Sequence, residues 1–194
     1  MDDINNILIY ENTNSLSNEL CRDMIELFEV DKDNGKYQGV TGSGLNLAIK
    51  HSTDLVITKY PSWERIVTCL NKELQRNVVE YIKRLDSQIN NKVLSDAMFT
   101  TKSIQIQKYD KNTGKYIYHN DALIKDNQMR VVTFLWYLND VTEGGETQIW
   151  DKYKVKPTAG KLLLFPATWT FPHRGNVPIS SDKYIATGWL SSNI

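Results

Sequence analysis

The chain has 194 residues, 41% of them apolar, with 23 basic and 23 acidic side chains that cancel to a formal net charge of zero. That length and apolar content suit one domain with a buried core and exclude a disordered chain. The charge balance excludes an overall field that would draw the protein to DNA or to an anionic membrane.

The opening "MDDINNILIYENTN" is acidic and lacks the basic and long apolar regions of a secretory leader. The longest nearly apolar run, "VVTFLWYL" at 131–138, is far too short to span a bilayer. The expectation is a soluble cytoplasmic protein with no membrane partner. Cys21 and Cys69 lie outside any C-x-x-C setting and within helical apolar patterns, which predicts two buried, reduced thiols.

In "LSNELCRDMIELFEV", Leu16, Leu20, Met24, Leu27 and Phe28 recur at helical spacing. Ser17 is the candidate N-cap and Glu19 suits the positive end of the helix dipole. Residues 31–44 read as a glycine-rich loop. A second helix is expected after Pro61, with Ser62 as its cap. Ile66, Leu70, Leu74, Val78, Tyr81, Ile82 and Leu85 form its apolar stripe, a packing face.

From about residue 103 the period changes to two. "SIQIQKY", "GKYIYH", "RVVTFLWYLN", "TQIW", "GKLLLFP" and "KYIATGWL" read as strands, punctuated by turns at Asn112–Gly114, Gly144–Gly145 and Pro157–Gly160. Helices followed by many short strands indicate an α+β fold in which helices back a rolled sheet. One domain is expected, with a helical layer over about 1–100 and a strand-built core over about 101–194.

On a strand, His119 and Asp121 point to one side, so an imidazole and a carboxylate can aim at one point. They supply two of the three donors of a facial metal triad. A lone H-x-D is a weak signal. A third donor must be His51, whose position near a loop favours a solvated role, or His173, which follows "GKLLLFP" and could face the pair across the mouth of a barrel. Lys183 follows ten residues after His173, on the last strand. Turned inward, its ammonium would be costly to bury unless it met an anion.

Four separated segments, "YDKNTGKYIYHND", "VVTFLWYLNDVTEGGETQIW", "VKPTAGKLLLFPATWTFPHRG" and "SDKYIATGWL", resemble in order and spacing the motifs of the prolyl 4-hydroxylase-like branch of the iron(II)- and 2-oxoglutarate-dependent dioxygenases. The resemblance covers roughly 104–190. It implies a double-stranded β-helix, or jelly-roll, with the metal between its sheets. By position, His119, Asp121 and His173 would bind Fe(II), and Lys183, helped by the Thr147 hydroxyl, would pair with the distal carboxylate of 2-oxoglutarate. Tyr109 and Tyr116 match tyrosines that hydrogen-bond the co-substrate, Tyr137 is a further donor in that position, and Trp189 would wall the pocket. The implied cofactors are Fe(II), 2-oxoglutarate and O₂, with room for ascorbate. The implied reaction is hydroxylation of an aliphatic C–H, with a prolyl residue of a peptide or protein as the leading substrate, releasing succinate and CO₂.

Two other readings stay open. One is an oxygenase on the same scaffold acting on a small molecule or a nucleic acid. Zero net charge and a lysine instead of an arginine clamp count against a nucleic-acid substrate. The other is a metal-binding jelly-roll without turnover. Arg174, beside the distal histidine, reads as a solvated loop residue. The substrate-selecting loops, about 31–54 and 122–130, carry no legible code.

Overall fold

The computed structural model describes residues 7–31, 35–89 and 99–194. Two helices come first, α1 (Asn18–Val30) and α2 (Glu64–Ile89). Ser17 caps α1 as expected, its hydroxyl accepting the Leu20 amide at 3.2 Å. Ser62 caps nothing. It sits inside a 3₁₀ turn, Pro61–Trp63, that runs straight into α2.

The strands, in chain order, are β1 (Tyr10–Asn12), β2 (Tyr37–Gln38), β3 (Lys50–His51), β4 (Thr53–Val56), β5 (Thr100–Tyr109), β6 (Lys115–His119), β7 (Ile124–Lys125), β8 (Gln128–Tyr137), β9 (Thr147–Ile149), β10 (Tyr153–Val155), β11 (Leu162–Pro166), β12 (His173–Gly175) and β13 (Lys183–Asn193). All pairings are antiparallel. The larger sheet runs β1-β11-β8-β13-β5-β4-β2, with β7 paired to β8, and the smaller runs β10-β9-β12-β6-β3. This is the expected α+β jelly-roll. The first hundred residues are not purely a helical layer, because β1, β2 and β4 extend the larger sheet and β3 extends the smaller.

The larger sheet is buried on both faces, which explains why "VVTFLWYL" shows no polar alternation. Val132, Phe134 and Trp136 face the helices, in one core with Met24, Phe28, Trp63, Leu70 and Leu74. The intervening Leu135 and Tyr137 face the smaller sheet, in a second core with Tyr109, Ile149, Phe165 and Ile185. Burying each such large side chain contributes about 1.5–3 kcal/mol. The α2 stripe is the packing face its spacing indicates: Leu70, Leu74, Val78 and Tyr81 are buried, and Ile66, Ile82 and Leu85 pack against them. Cys21 is buried, but Cys69 is exposed, on the side of α2 away from that stripe; both are free thiols.

Gly160 joins the N-terminal segment to the jelly-roll. Its carbonyl accepts the Ser15 and Leu16 amides at 3.1 and 3.0 Å. At φ +81°, any Cβ there would meet the Leu16 carbonyl oxygen at 2.2 Å.

Candidate metal centre and co-substrate pocket

His119 ends β6 and His173 begins β12, and the two strands pair so that these residues stand opposite one another. The histidines are therefore neighbours within the smaller sheet, not partners across the barrel mouth. The chain leaves β6 after His119 and turns Asp121 inward, where it is buried. The three ligand-type atoms lie within 4.8 Å of one another. Nε2 of His173 is 3.4 Å and Nε2 of His119 is 3.8 Å from the Asp121 carboxylate.

Both imidazoles are oriented in the same way. Nδ1 of His119 donates to the Ile117 carbonyl at 2.8 Å, and Nδ1 of His173 to the Phe171 carbonyl at 3.0 Å. Each ring thus keeps its Nε2 lone pair toward Asp121, the tautomer a metal ligand needs. Tyr116 stacks on His119 with ring centroids 3.4 Å apart. The Thr133 hydroxyl donates to Asp121 at 2.7 Å and holds the carboxylate.

The electrostatics follow from these contacts. Burial alone would raise the Asp121 carboxyl, but His173, then His119 and Thr133, reverse this and hold it well below the usual carboxylate range. Burial, with His173 beside it, pushes His119 down to about 4. For His173 burial acts downward, and the facing Asp121 carboxylate outweighs it, leaving the imidazole raised.

The cavity between the sheets is lined by all three of these residues and by Tyr109, Tyr116, Thr147, Lys183 and Trp189, so the structure brings together every site residue the motifs select except Tyr137. Tyr137 lies beside it, fully buried, with a hydroxyl that has no hydrogen-bond partner. Lys183 is 2% exposed, and among the described residues no carboxylate is in ion-pair contact with it. Its ammonium lies 5.6 and 5.5 Å from the rings of Tyr109 and Tyr137. Burial pushes it down to about 7, against a weak opposing pull from Glu146. A buried cation beside an orphaned hydroxyl fits an anionic ligand at the closed end of the cavity.

Other placements differ from expectation. His51 lies on β3, half-buried, outside the metal-type cluster. Arg174 is a β12 residue, half-buried, with Nη2 donating to Gln148 at 2.8 Å and its guanidinium 4.9 Å from the Tyr118 ring. The loop over 122–130 contains the β7–β8 hairpin, turned at Asp126 and Asn127 with φ of 52° and 57°. Thr133 and Gln107, which also line the cavity, were not singled out by motif. The signal for Thr133 is a lone hydroxyl in an otherwise apolar strand.

The two imidazoles and one carboxylate gathered at a cavity of this antiparallel jelly-roll are the donor set of a facial triad for non-haem iron. Residues 104–191 match the model of the 2OG-Fe(II) oxygenase superfamily. That match takes in His119, Asp121, Thr147, His173 and Lys183, and the architecture is prolyl 4-hydroxylase-like. Among solved structures it is similar to a prolyl hydroxylase from Trichoplax adhaerens in complex with a hypoxia inducible factor peptide fragment (TM-score 0.74, 20% identity, covering 97% of this chain and 86% of that one). It is also similar to a Pseudomonas putida prolyl-4-hydroxylase (0.67, 17%, 96% and 92%). A third similar structure is the 2OG complex of a viral collagen prolyl hydroxylase from Paramecium Bursaria Chlorella virus-1 (0.65, 18%, 95% and 96%). No curated protein sequence matches the chain.

Proposed function

We propose that this protein is an Fe(II)- and 2-oxoglutarate-dependent dioxygenase that hydroxylates an aliphatic C–H, with a prolyl residue of a peptide or protein as its substrate. The observation that carries this reading is the pairing of two features in one cavity: a triad with both Nε2 atoms and a carboxylate convergent, and a buried ammonium lacking any acid in contact. The match of residues 104–191 to the 2OG-Fe(II) oxygenase model supports Fe(II), 2-oxoglutarate and O₂ as the cofactor set. The likeness to three prolyl hydroxylases, one of them bound to a peptide, supports a peptidyl substrate.

In this reading His119, Asp121 and His173 would hold the metal. Bound there, Fe(II) supplies O₂ activation coupled to oxidation of 2-oxoglutarate to succinate and CO₂. The protein's own groups bind and orient. Lys183 pairs with the distal carboxylate, and a buried ion pair in a closed pocket gains from low local dielectric. Thr147 and Tyr137 supply hydroxyl donors beside it, and Tyr109 and Tyr116 wall the cavity. Burial pushes the Tyr116 phenol up to about 12, so it remains a donor at neutral pH. Trp189, whose face carries the Arg130 guanidinium at 3.5 Å, walls the cavity on the β13 side.

The chain acts in this proposal as one catalytic unit in the cytoplasm, with ascorbate as an accessory reductant. Two free thiols, and the lack of any described helix long and apolar enough to cross a membrane, support that setting. The test is incubation with Fe(II), ascorbate and 2-oxoglutarate over a panel of proline-containing peptides, followed by mass spectrometry. Succinate release with a gain of one oxygen on proline supports the reading. Succinate release with oxygen gained only by a small molecule or a nucleotide assigns the other substrate class. Metal binding without succinate under any condition returns the protein to a non-catalytic role.

A further inference from the structure

A second buried charge cluster lies behind the cavity wall. Lys50 on β3 and Asp54 on β4 form an ion pair, and the two residues are 3% and 2% exposed. Strand β3 belongs to the smaller sheet and β4 to the larger, with Ser52 the one residue between them. The pair thus spans the corner where the sheets meet. The Ser52 hydroxyl donates to the other Asp54 oxygen at 2.8 Å. On the inner side, Asp54 stands opposite Gln107 of β5, whose Nε2 donates to Asp54 Oδ2 at 3.4 Å. Gln107 Oε1 accepts the Tyr109 hydroxyl at 2.7 Å. Tyr109 in turn stands opposite Lys183 in the β5–β13 ladder.

This chain has a forced direction. An ionised carboxylate only accepts hydrogen bonds, so Asp54 selects the amide end of Gln107 and turns the carbonyl toward Tyr109. The Tyr109 proton is then committed to Gln107. The Lys183 ammonium lies over the Tyr109 ring, 5.6 Å from its centroid. Lys50 also reaches the site by a second route, lying 5.4 Å from the ring of Tyr116, which stacks on His119.

We propose that Asp54, clamped by Lys50, is a positioning residue for the co-substrate pocket. Through Gln107 it holds the Tyr109 hydroxyl, and with it the ring that lies under the Lys183 ammonium where a dicarboxylate docks. This inference rests on the proposed function.

The test is calorimetric binding of 2-oxoglutarate to the Mn(II)-loaded full chain, with no turnover involved. Gln107→Leu cuts the chain in the middle and leaves the Lys50–Asp54 pair and its Ser52 bond in place. It is expected to weaken 2-oxoglutarate about tenfold, the scale of one lost hydrogen bond, with Mn(II) affinity unchanged. Gln107→Glu, which cannot donate an amide proton to Asp54, is expected not to rescue binding. In a Tyr109→Phe background Gln107→Leu is expected to have no further effect, because the chain acts through that hydroxyl. A full tenfold loss persisting in that background would mean direct contact by Gln107 and would overturn the proposal. So would unchanged affinity in Gln107→Leu. If the parent protein takes up Mn(II) and binds no 2-oxoglutarate, the functional reading fails instead. Asp54→Asn is a weaker test, since it leaves Lys50 buried beside a neutral amide and risks the fold.

Discussion

His173 stands opposite His119 across the β12–β6 ladder, with the two imidazole centroids 4.2 Å apart. The ladder thus sets the separation of the two nitrogen donors, whereas Asp121 lies beyond the end of β6 and is held by the Thr133 hydroxyl. That division of labour shapes the first two expectations.

Replacing His119 or Asp121 with alanine is expected to abolish turnover and to lower Mn(II) affinity by more than about a hundredfold, beyond the range seen for outer hydrogen-bond partners. The fold should survive, because the two cores are built without these side chains. Metal titration beside circular dichroism checks both halves. A variant that lost its structure along with its metal would show the triad to be a folding element.

Thr133→Val keeps the shape of the β8 side chain and removes the hydroxyl that holds Asp121 at 2.7 Å. Mn(II) affinity is expected to fall about tenfold, with far-UV circular dichroism unchanged.

Lys183 gives a pH signature in the metal-free, ligand-free protein. Its folded value, about 7, lies below the ordinary lysine value of 10.5. The unfolded chain therefore holds the proton more tightly, and stability rises with pH across the window from about 7 to 10.5. The burial penalty is fully present below that window and gone above it. Lys183→Met should melt higher than the parent at pH 6, and the gap should close toward pH 10. The same variant should bind 2-oxoglutarate far more weakly. Equal melting temperatures at pH 6 would contradict an uncompensated buried ammonium.

Gly160→Ala is expected to destabilise the protein by about 2–4 kcal/mol, combining a strained backbone with a steric clash. Its φ is +81° and the new methyl would lie 2.2 Å from the Leu16 carbonyl oxygen. Denaturant unfolding measures this directly. The loss should exceed that of Gly42→Ala, where nothing lies within 4 Å.

Much of the fold was legible because long elements carry a period. The α2 stripe, Ile66 to Leu85, spans about five and a half turns of a helix, and the strands from β5 to β13 that bear motifs alternate or run apolar between clear turns. Elements of two or three residues, such as β2, β3, β10 and β12, have no period to read, and they are held by the ladders they join. Cys69 was misplaced for a related reason. Its neighbours make an apolar pattern, but which side of α2 meets the sheet is set by packing.

By itself the sequence determined which donors are on offer: His119, Asp121 and His173 supply two imidazoles and a carboxylate, and motif order put Lys183 and Thr147 beside them. Tertiary structure alone decided that the histidines are sheet neighbours, that Lys183 is buried with no acid in contact among the described residues, and that Lys50 and Asp54 meet at the corner between two sheets. The physical reason is that side-chain identity fixes what a group can bind or donate, whereas the dielectric around it and the partner it meets are set by residues far away along the chain.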